Sequence, residues 1–218
     1  MSGRRFCRYC GNQIPPNAEF CPYCGMRLQL PQAPPYTPTP PMERGLRGLI
    51  AEHRGKIRWG IFTMSLILFI VGLYLGSITP LSRSEASTIV EEARSAITPT
   101  APGIAFNNIR ITLAFFIPVF GTALMVFASY SFGVVLSALA TTQLGVNVPL
   151  IFLNLLTFPF FWLELIAYSL ASTQGNMLLL GYLTKNGKKE ARNLIISVGV
   201  CILLLVVSAV MEAALLTT

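Results

Sequence analysis

The chain has 218 residues, of which 53% are hydrophobic and only 11% are charged, and its mean hydropathy is +0.62. This composition excludes a disordered polymer and argues against an ordinary soluble domain, whose surface needs about a quarter of its residues charged. The chain contains no Asp, nine Glu and one His, which removes most hydrolase, kinase and metalloenzyme arrangements. We therefore expect an all-α membrane protein that is not an enzyme.

Four of the five cysteines lie in the first 24 residues, in the C-x2-C pairs Cys7 with Cys10 and Cys21 with Cys24. Two such pairs can place four thiolates tetrahedrally around one Zn²⁺, at Zn–S distances of about 2.3 Å. The alternative is two disulfides, which would require an oxidising compartment. The duplicated spacing favours zinc.

The cysteine pattern resembles a zinc ribbon of the short C-x2-C-G type, in which Gly11 and Gly25 supply turns with positive φ. So few residues bury too little area to fold alone, and the metal must contribute roughly 10–16 kcal/mol. All four sulfurs are used, so we predict a small β zinc ribbon over residues 1–28 with one structural Zn²⁺. The sizeable apolar side chains available for its core are Phe6, Tyr9, Phe20 and Tyr23.

Residues 29–58 connect this module to the apolar part of the chain. Residues 29–41 are rich in proline, which favours an extended polyproline II tether. Residues 42–58 place Leu and Ile on one helical face among basic residues, a pattern typical of a segment on the anionic cytoplasmic surface of a membrane. The remaining residues, 59–218, are predicted to form a helical membrane domain.

The apolar runs predict about five transmembrane helices. By the positive-inside rule, the basic N-terminus and the loop 185–192 are cytoplasmic, whereas the loop 80–103 and the C-terminus face outward. Helix breaks are expected near Ser129–Ser131 and within 145–149, and residues 129–144 either span or re-enter the membrane. The predicted spans lie near 59–78, 106–128, 131–144, 149–183 and 194–216.

The outward loop contains a predicted helix. Ser82 and Glu85 have capping-box spacing, and an apolar stripe from Ala86 to Ile97 continues at helical period. This helix either lies along the outer interface or covers the bundle.

Glu164 stands inside the longest apolar block, where a charged carboxylate costs a few kcal/mol, so it must be neutral, paired or facing water. One interpretation is a polar site or substrate path inside the bundle. The other is that Glu164 and Arg110 lock helices together. The residues predicted to form this intramembrane polar network are Asn107, Asn108, Arg110, Asn154 and Glu164, with Gln174 and Asn176 as further candidates. Cys201 is a small buried hydrophobe with no assigned role.

Two stretches resemble the stage II sporulation protein M family of polytopic membrane proteins. They are residues 104–121, which contain the Asn107-Asn108 pair, and residues 158–168, which contain Pro159 and Glu164. The resemblance extends over about residues 57–218. It implies about five spans and, for bacterial members, work beside cell-wall-degrading partners.

In that family the proline is often followed by His and Gly, whereas this chain has Phe160 and Phe161 there. No role of that His can be carried over. The zinc ribbon and the tether lie outside the shared part of the family, and their combination with it indicates an archaeal member.

The leading functional hypothesis is a non-enzymatic membrane scaffold, acting in membrane or envelope remodelling, that recruits a protein partner through a cytoplasmic zinc ribbon. A transporter or permease subunit using Glu164 and Arg110 is the alternative. Nucleic-acid binding ranks last, because the ribbon's net charge of +3 offers few phosphate contacts. Self-association is left open.

Overall fold

A computed structural model describes residues 5–15, 18–28, 45, 48–50, 52–96, 98–144 and 148–216. The chain divides into two units, Met1–Leu46 and Arg47–Thr218. The predicted tether over 29–41 and part of the basic segment lie outside the described residues.

The N-terminal unit is a small module with little regular structure. Strand β1, Arg5–Phe6, pairs antiparallel with β2, Gln13–Ile14. A bridge between Phe20 and Arg27 repeats this arrangement in the second half. The buried side chains are those of Cys7, Ile14, Cys21 and Leu28.

The prediction of an aromatic core for this module is wrong. All four aromatic side chains are exposed, from 54% for Tyr9 to 67% for Tyr23. Each is adjacent in sequence to a cysteine whose sulfur lies close to the other three sulfurs, and the aromatic ring lies on the outside of the module. Ile14 and Leu28 pack on the inner cysteines instead.

The second unit is helical. Two of its helices begin with favourable signals: Thr100 caps α3 by accepting a hydrogen bond from the amide of Gly103 at 3.3 Å, and Pro159 occupies the first turn of α6. The helices are α1 Arg54–Ser77, α2 Arg83–Ala96, α3 Ala101–Phe115, α4 Phe120–Leu139, α5 Val148–Leu155, α6 Pro159–Leu183 and α7 Gly187–Leu216.

The predicted span over 106–128 is not one helix. The chain breaks after Phe115, because Pro118 lacks an amide donor and Val119 adopts a left-handed φ of 65°. The predicted break at Ser129–Ser131 is absent from α4. The Ser129 and Ser131 hydroxyls donate to the carbonyls of Val126 and Phe127 in the preceding turn, at 2.8 and 3.0 Å. Both hydroxyls therefore have their hydrogen-bond acceptors within the helix, and the helix continues through them.

The predicted spans over 131–144 and 149–183 also differ from the helices. Residues 131–139 are the second half of α4, which continues into a π-helical turn, Ala140–Leu144. The expected break within 145–149 falls between this turn and α5, although residues 145–147 lie outside the described residues. Residues 149–183 are two helices, since the chain leaves α5 at Leu155 and restarts at Pro159.

Among the described residues, three helices are long and apolar enough to cross a membrane: Arg54–Ser77, Phe120–Thr142 and Gly187–Leu215. The predicted spans 59–78 and 194–216 correspond to the first and third of these. Helix α6 is as long, but it is the most buried helix and carries polar side chains in the core, namely Ser169, Ser172, Thr173 and Gln174.

Contacts along the helices show their relative directions. Against α6, α1 runs antiparallel, with Arg58 beside Gln174 and Phe69 beside Tyr168. Helix α7 is also antiparallel to α6, whereas α3 is parallel to it. Helix α4 is parallel to α1. Thus α1, α3, α4, α6 and α7 alternate in direction through the bundle.

Helices α1 and α4 approach closely at glycines. A Cβ placed on Gly76 would overlap the carbonyl oxygen of Tyr130, and one on Gly133 would overlap the carbonyl oxygen of Leu73. The Gly72-x3-Gly76 spacing therefore lies at a helix–helix contact, as expected where backbones must come together.

The predicted capping box of α2 is confirmed. The Ser82 amide donates to the Glu85 carboxylate at 2.9 Å, and the Glu85 amide donates to the Ser82 hydroxyl at 3.3 Å. The bonds from Ser82 lower the pKa of the Glu85 carboxyl. Ala86 and Val90 are buried against Ala138 of α4, so α2 covers the bundle. Ile97 lies outside the described residues.

Candidate metal centre and buried polar clusters

Two turns of the same geometry bring the four N-terminal cysteines together. In the first, the Cys7 amide donates to the carbonyl of Asn12, and the Gly11 amide donates to that of Cys7, both at 2.8 Å. The second turn repeats this from Cys21 to Met26. Gly11 and Gly25 have φ of 74° and 71°, as their positions predict.

The four sulfurs have the separations that zinc requires. All four ligand atoms lie within 4.8 Å of one another. The Cys7–Cys24 and Cys10–Cys21 sulfurs are 3.8 and 3.6 Å apart. A tetrahedron with Zn–S bonds of about 2.3 Å has edges of about 3.8 Å, so the residues fit one zinc ion.

The backbone of the module favours the ionised form of one of these sulfurs, that of Cys7. The backbone amides of Tyr9 and Cys10 point at the Cys7 sulfur and lower the pKa of this thiol to about 6. With four thiolates bound, no coordination position remains for a reacting water, and the ion is structural.

Residues 6–28 match the family model of a zinc-ribbon domain. The N-terminal module is a zinc ribbon. Neither the curated proteins nor the solved structures give a match for this chain.

The predicted polar network around Glu164 forms only in part. The Asn108 amide donates to one carboxylate oxygen of Glu164 at 2.7 Å, and the Ser208 hydroxyl donates to the same oxygen at 2.9 Å. The Tyr168 hydroxyl is 3.5 Å from the other oxygen. Glu164 thus joins α3, α6 and α7 through uncharged donors.

The other predicted members lie elsewhere. Arg110 donates to the Asn107 side chain at 3.4 Å and forms no ion pair with Glu164 in the described part of the chain. Asn154 is exposed at the end of α5. Asn176 accepts from the Val119 amide at 3.1 Å and so supports the turn between α3 and α4. Cys201 is buried and donates to the carbonyl of Ala167.

A cavity of about 280 Å³ lies beside Glu164. Asn107 and Asn108 of α3 and Glu212 of α7 also line it. Glu212 follows Ser208 by one helical turn, which places it on the face of α7 that reaches Glu164. The sequence pattern does not indicate Glu212 as a member of this site, because Glu212 lies at the end of an apolar run that predicts only a span.

A second polar cluster, which the sequence argument also missed, surrounds Glu190 near the start of α7. Glu190 is fully buried. Arg54 and Arg58 of α1 approach its two carboxylate oxygens at 3.2 and 2.5 Å. Gln174 of α6 donates to Glu190 at 3.2 Å and accepts from Arg58 at 2.5 Å. Asn193 donates at 3.2 Å.

This charged cluster connects the three helices α1, α6 and α7. By sequence, Arg54 and Arg58 belong to the basic segment 42–58 that is predicted on the cytoplasmic membrane surface, and Glu190 belongs to the basic loop 185–192. Since the partners are more than 130 residues apart, no local pattern pairs them.

We predict that the purified chain holds one zinc ion per molecule and that the double substitution Cys10→Ser/Cys24→Ser abolishes retention, because two thiolates remain where four are needed. Metal analysis after dialysis measures this. Cys201→Ser is the matched control and should retain zinc. Disulfides instead of metal in the wild type, or zinc retained by the double variant, would contradict the assignment.

We predict that Glu190→Ala lowers the free energy of unfolding by about 3–5 kcal/mol, because it leaves two guanidinium groups without their shared carboxylate. Unfolding in mixed micelles measures the change. Glu91→Ala, on the exposed face of α2, is the control and should change stability by less than about 0.5 kcal/mol. Equal stability of the two variants would show that the cluster does not hold the helices together.

Proposed function

We propose that this chain is a non-enzymatic integral membrane protein that recruits a protein partner through its zinc ribbon. The observation that carries the proposal is the exposure of Phe6, Tyr9, Phe20 and Tyr23 on a module whose metal site is closed. Exposed aromatic residues are characteristic of the buried centres of protein–protein interfaces. A closed tetrahedral site leaves the metal no role except to hold that surface in shape.

The arginines of the ribbon support the same reading. The guanidinium of Arg8 lies 5.2 Å from the ring centre of Tyr9, and that of Arg27 lies 5.9 Å from the ring centre of Phe20. Tyrosine and arginine are enriched at interface hot spots. A net charge of +3 is small for nucleic-acid binding at physiological salt.

For the membrane domain we propose five passes, α1, α3, α4, α6 and α7, with the N-terminus in the cytoplasm and the C-terminus outside. Their alternating directions support the count. Their charges support the sidedness: the N-terminal 58 residues hold nine Lys and Arg and residues 185–192 hold four, whereas residues 81–102 hold two Arg and three Glu.

The relation to the stage II sporulation protein M family is part of the proposal. The two stretches that resemble the family, in α3 and at the start of α6, meet through the bond from Asn108 to Glu164. A shared site is what two separate family motifs would be expected to build. The relation would place the protein in membrane or envelope remodelling, as an archaeal member.

The transport alternative has less support. It required Arg110 beside Glu164, and Arg110 bonds to Asn107 instead. The scaffold is therefore the function that we prefer.

The orientation predicts opposite labelling of two engineered cysteines. Ser95→Cys, on exposed α2, should react with a membrane-impermeant maleimide in intact cells. Lys188→Cys, exposed at the start of α7, should react only after permeabilisation. The reverse pattern would overturn the proposed sidedness.

The scaffold proposal predicts that crosslinked pull-down from native membranes retrieves a protein partner only when the zinc ribbon is intact. The surface variant Tyr9→Ala/Tyr23→Ala should lose the partner while retaining zinc, because both rings are exposed. Arg110→Gln is the control outside the ribbon and should retain the partner. An envelope-remodelling enzyme that remains with the membrane domain alone would support the family relation.

Equal capture with and without the ribbon would overturn recruitment through it. Capture of nucleic acid that weakens steeply with salt and is lost in the tyrosine variant would replace the protein partner by a nucleic acid.

A further inference from the structure

The cavity beside Glu164 has an unusual combination of charge and surface. Its two carboxyl side chains, Glu164 and Glu212, come from α6 and α7. No lysine, arginine or histidine is among its lining residues. Within the described residues, neither carboxyl group has an ion-pair partner.

The bonds to Glu164 orient its carboxylate but do not neutralise it. Asn108, Ser208 and Tyr168 provide uncharged donors. The carboxyl group of Glu212 has no hydrogen-bond partner in the part of the chain that the structure describes. An acidic pair in apolar surroundings is costly unless a proton or another positive charge joins it.

The rest of the wall is suited to a cation with an organic body. Six aromatic rings line the cavity, from the four helices α1, α3, α4 and α6. Aromatic faces attract ammonium groups within about 6 Å and also contact apolar atoms. A bare metal ion fits less well, because hard cations take six or more oxygen ligands and most of the residues that line this cavity are apolar. The rings are those of Phe69, Phe115, Phe132, Phe160, Phe161 and Tyr168.

The volume restricts the size of the ligand. About 280 Å³ is the lower end of the usual range for small-molecule sites. In this cavity the phosphate of a phospholipid would lie close to two carboxyl groups, which repel a phosphate. The acyl chain of the lipid would form no favourable interaction with those carboxyl groups. The charge and the size both favour a small free cation.

We propose that this cavity binds a small organic cation, an ammonium group attached to an apolar body. Glu164 and Glu212 supply the opposite charge, the aromatic rings enclose the ammonium and the apolar body, and Asn107 and Asn108 fill the polar edge. This site is separate from the zinc ribbon and goes beyond the recruitment function.

Binding of benzyltrimethylammonium to the full chain in detergent tests the proposal. Equilibrium dialysis with the labelled cation should show one saturable site per chain. Neopentylbenzene, its neutral isostere, and benzenesulfonate, an anion of similar size, should not displace it. Glu212→Gln and Glu164→Gln should each weaken binding about tenfold or more, because each removes a charge.

Two further variants keep the result decisive. Glu91→Gln, on exposed α2, is the matched control and should bind as the wild type does. Ala128→Leu should reduce binding by filling the cavity while both carboxyl groups remain. If Glu164→Gln fails to fold, Glu212→Gln still tests the charge, since its carboxyl supports no hydrogen bond in the described structure.

Three outcomes would overturn the proposal. The first is absent or unsaturable binding. The second is equal binding of the neutral isostere, or unchanged affinity in both glutamine variants, which would make the cavity merely apolar. The third is a co-purified phospholipid, seen by native mass spectrometry, that the cation cannot displace.

Discussion

The helical unit depends on one constraint: a polar group in apolar surroundings must find its partner inside the protein. Among the described residues, helix α6 carries more buried polar side chains than any other helix, and side chains of its neighbours bond to several of the polar groups along it. Gln174 meets Arg58 and Glu190, Asn176 supports the turn after α3, and Glu164 receives Asn108 and Ser208. The helix with the most buried polar side chains is therefore the one that the others surround.

The parts that could be predicted from sequence are those in which interacting groups are close along the chain. Cys7 and Cys10, the glycines behind them, and the Ser82–Glu85 capping box each require only local geometry. The spans over 59–78 and 194–216 were predictable because an uninterrupted apolar run has few alternatives. Zinc then joins two local motifs whose spacing is short enough to recognise.

The rest could not be predicted for two reasons: some local signals permit more than one outcome, and the charged cluster depends on distant partners. Ser129 and Ser131 have the composition of a break, yet within α4 they bond to their own helix, and Pro118 breaks the chain earlier. The Arg54–Glu190 pair needs the bundle to exist before its members meet. In the ribbon, sequence cannot say which side of a short turn an aromatic residue occupies, and the inward direction of the cysteines decided it.

The two acidic clusters that include side chains of α6 differ in a way that bears on function. Glu190 has two arginines from the chain itself, so its single negative charge is more than compensated, and the cluster connects α1, α6 and α7. Glu164 lies ten residues, or about 15 Å of helix, from Gln174. It shares an aromatic cavity with a second carboxyl group, that of Glu212, and no lysine, arginine or histidine lines this cavity. If Glu164 served only to hold the helices together, arginine partners like those of Glu190, or apolar side chains in its place, would do so with a smaller desolvation penalty. The uncompensated acids are better explained by a positive charge that comes from outside the chain.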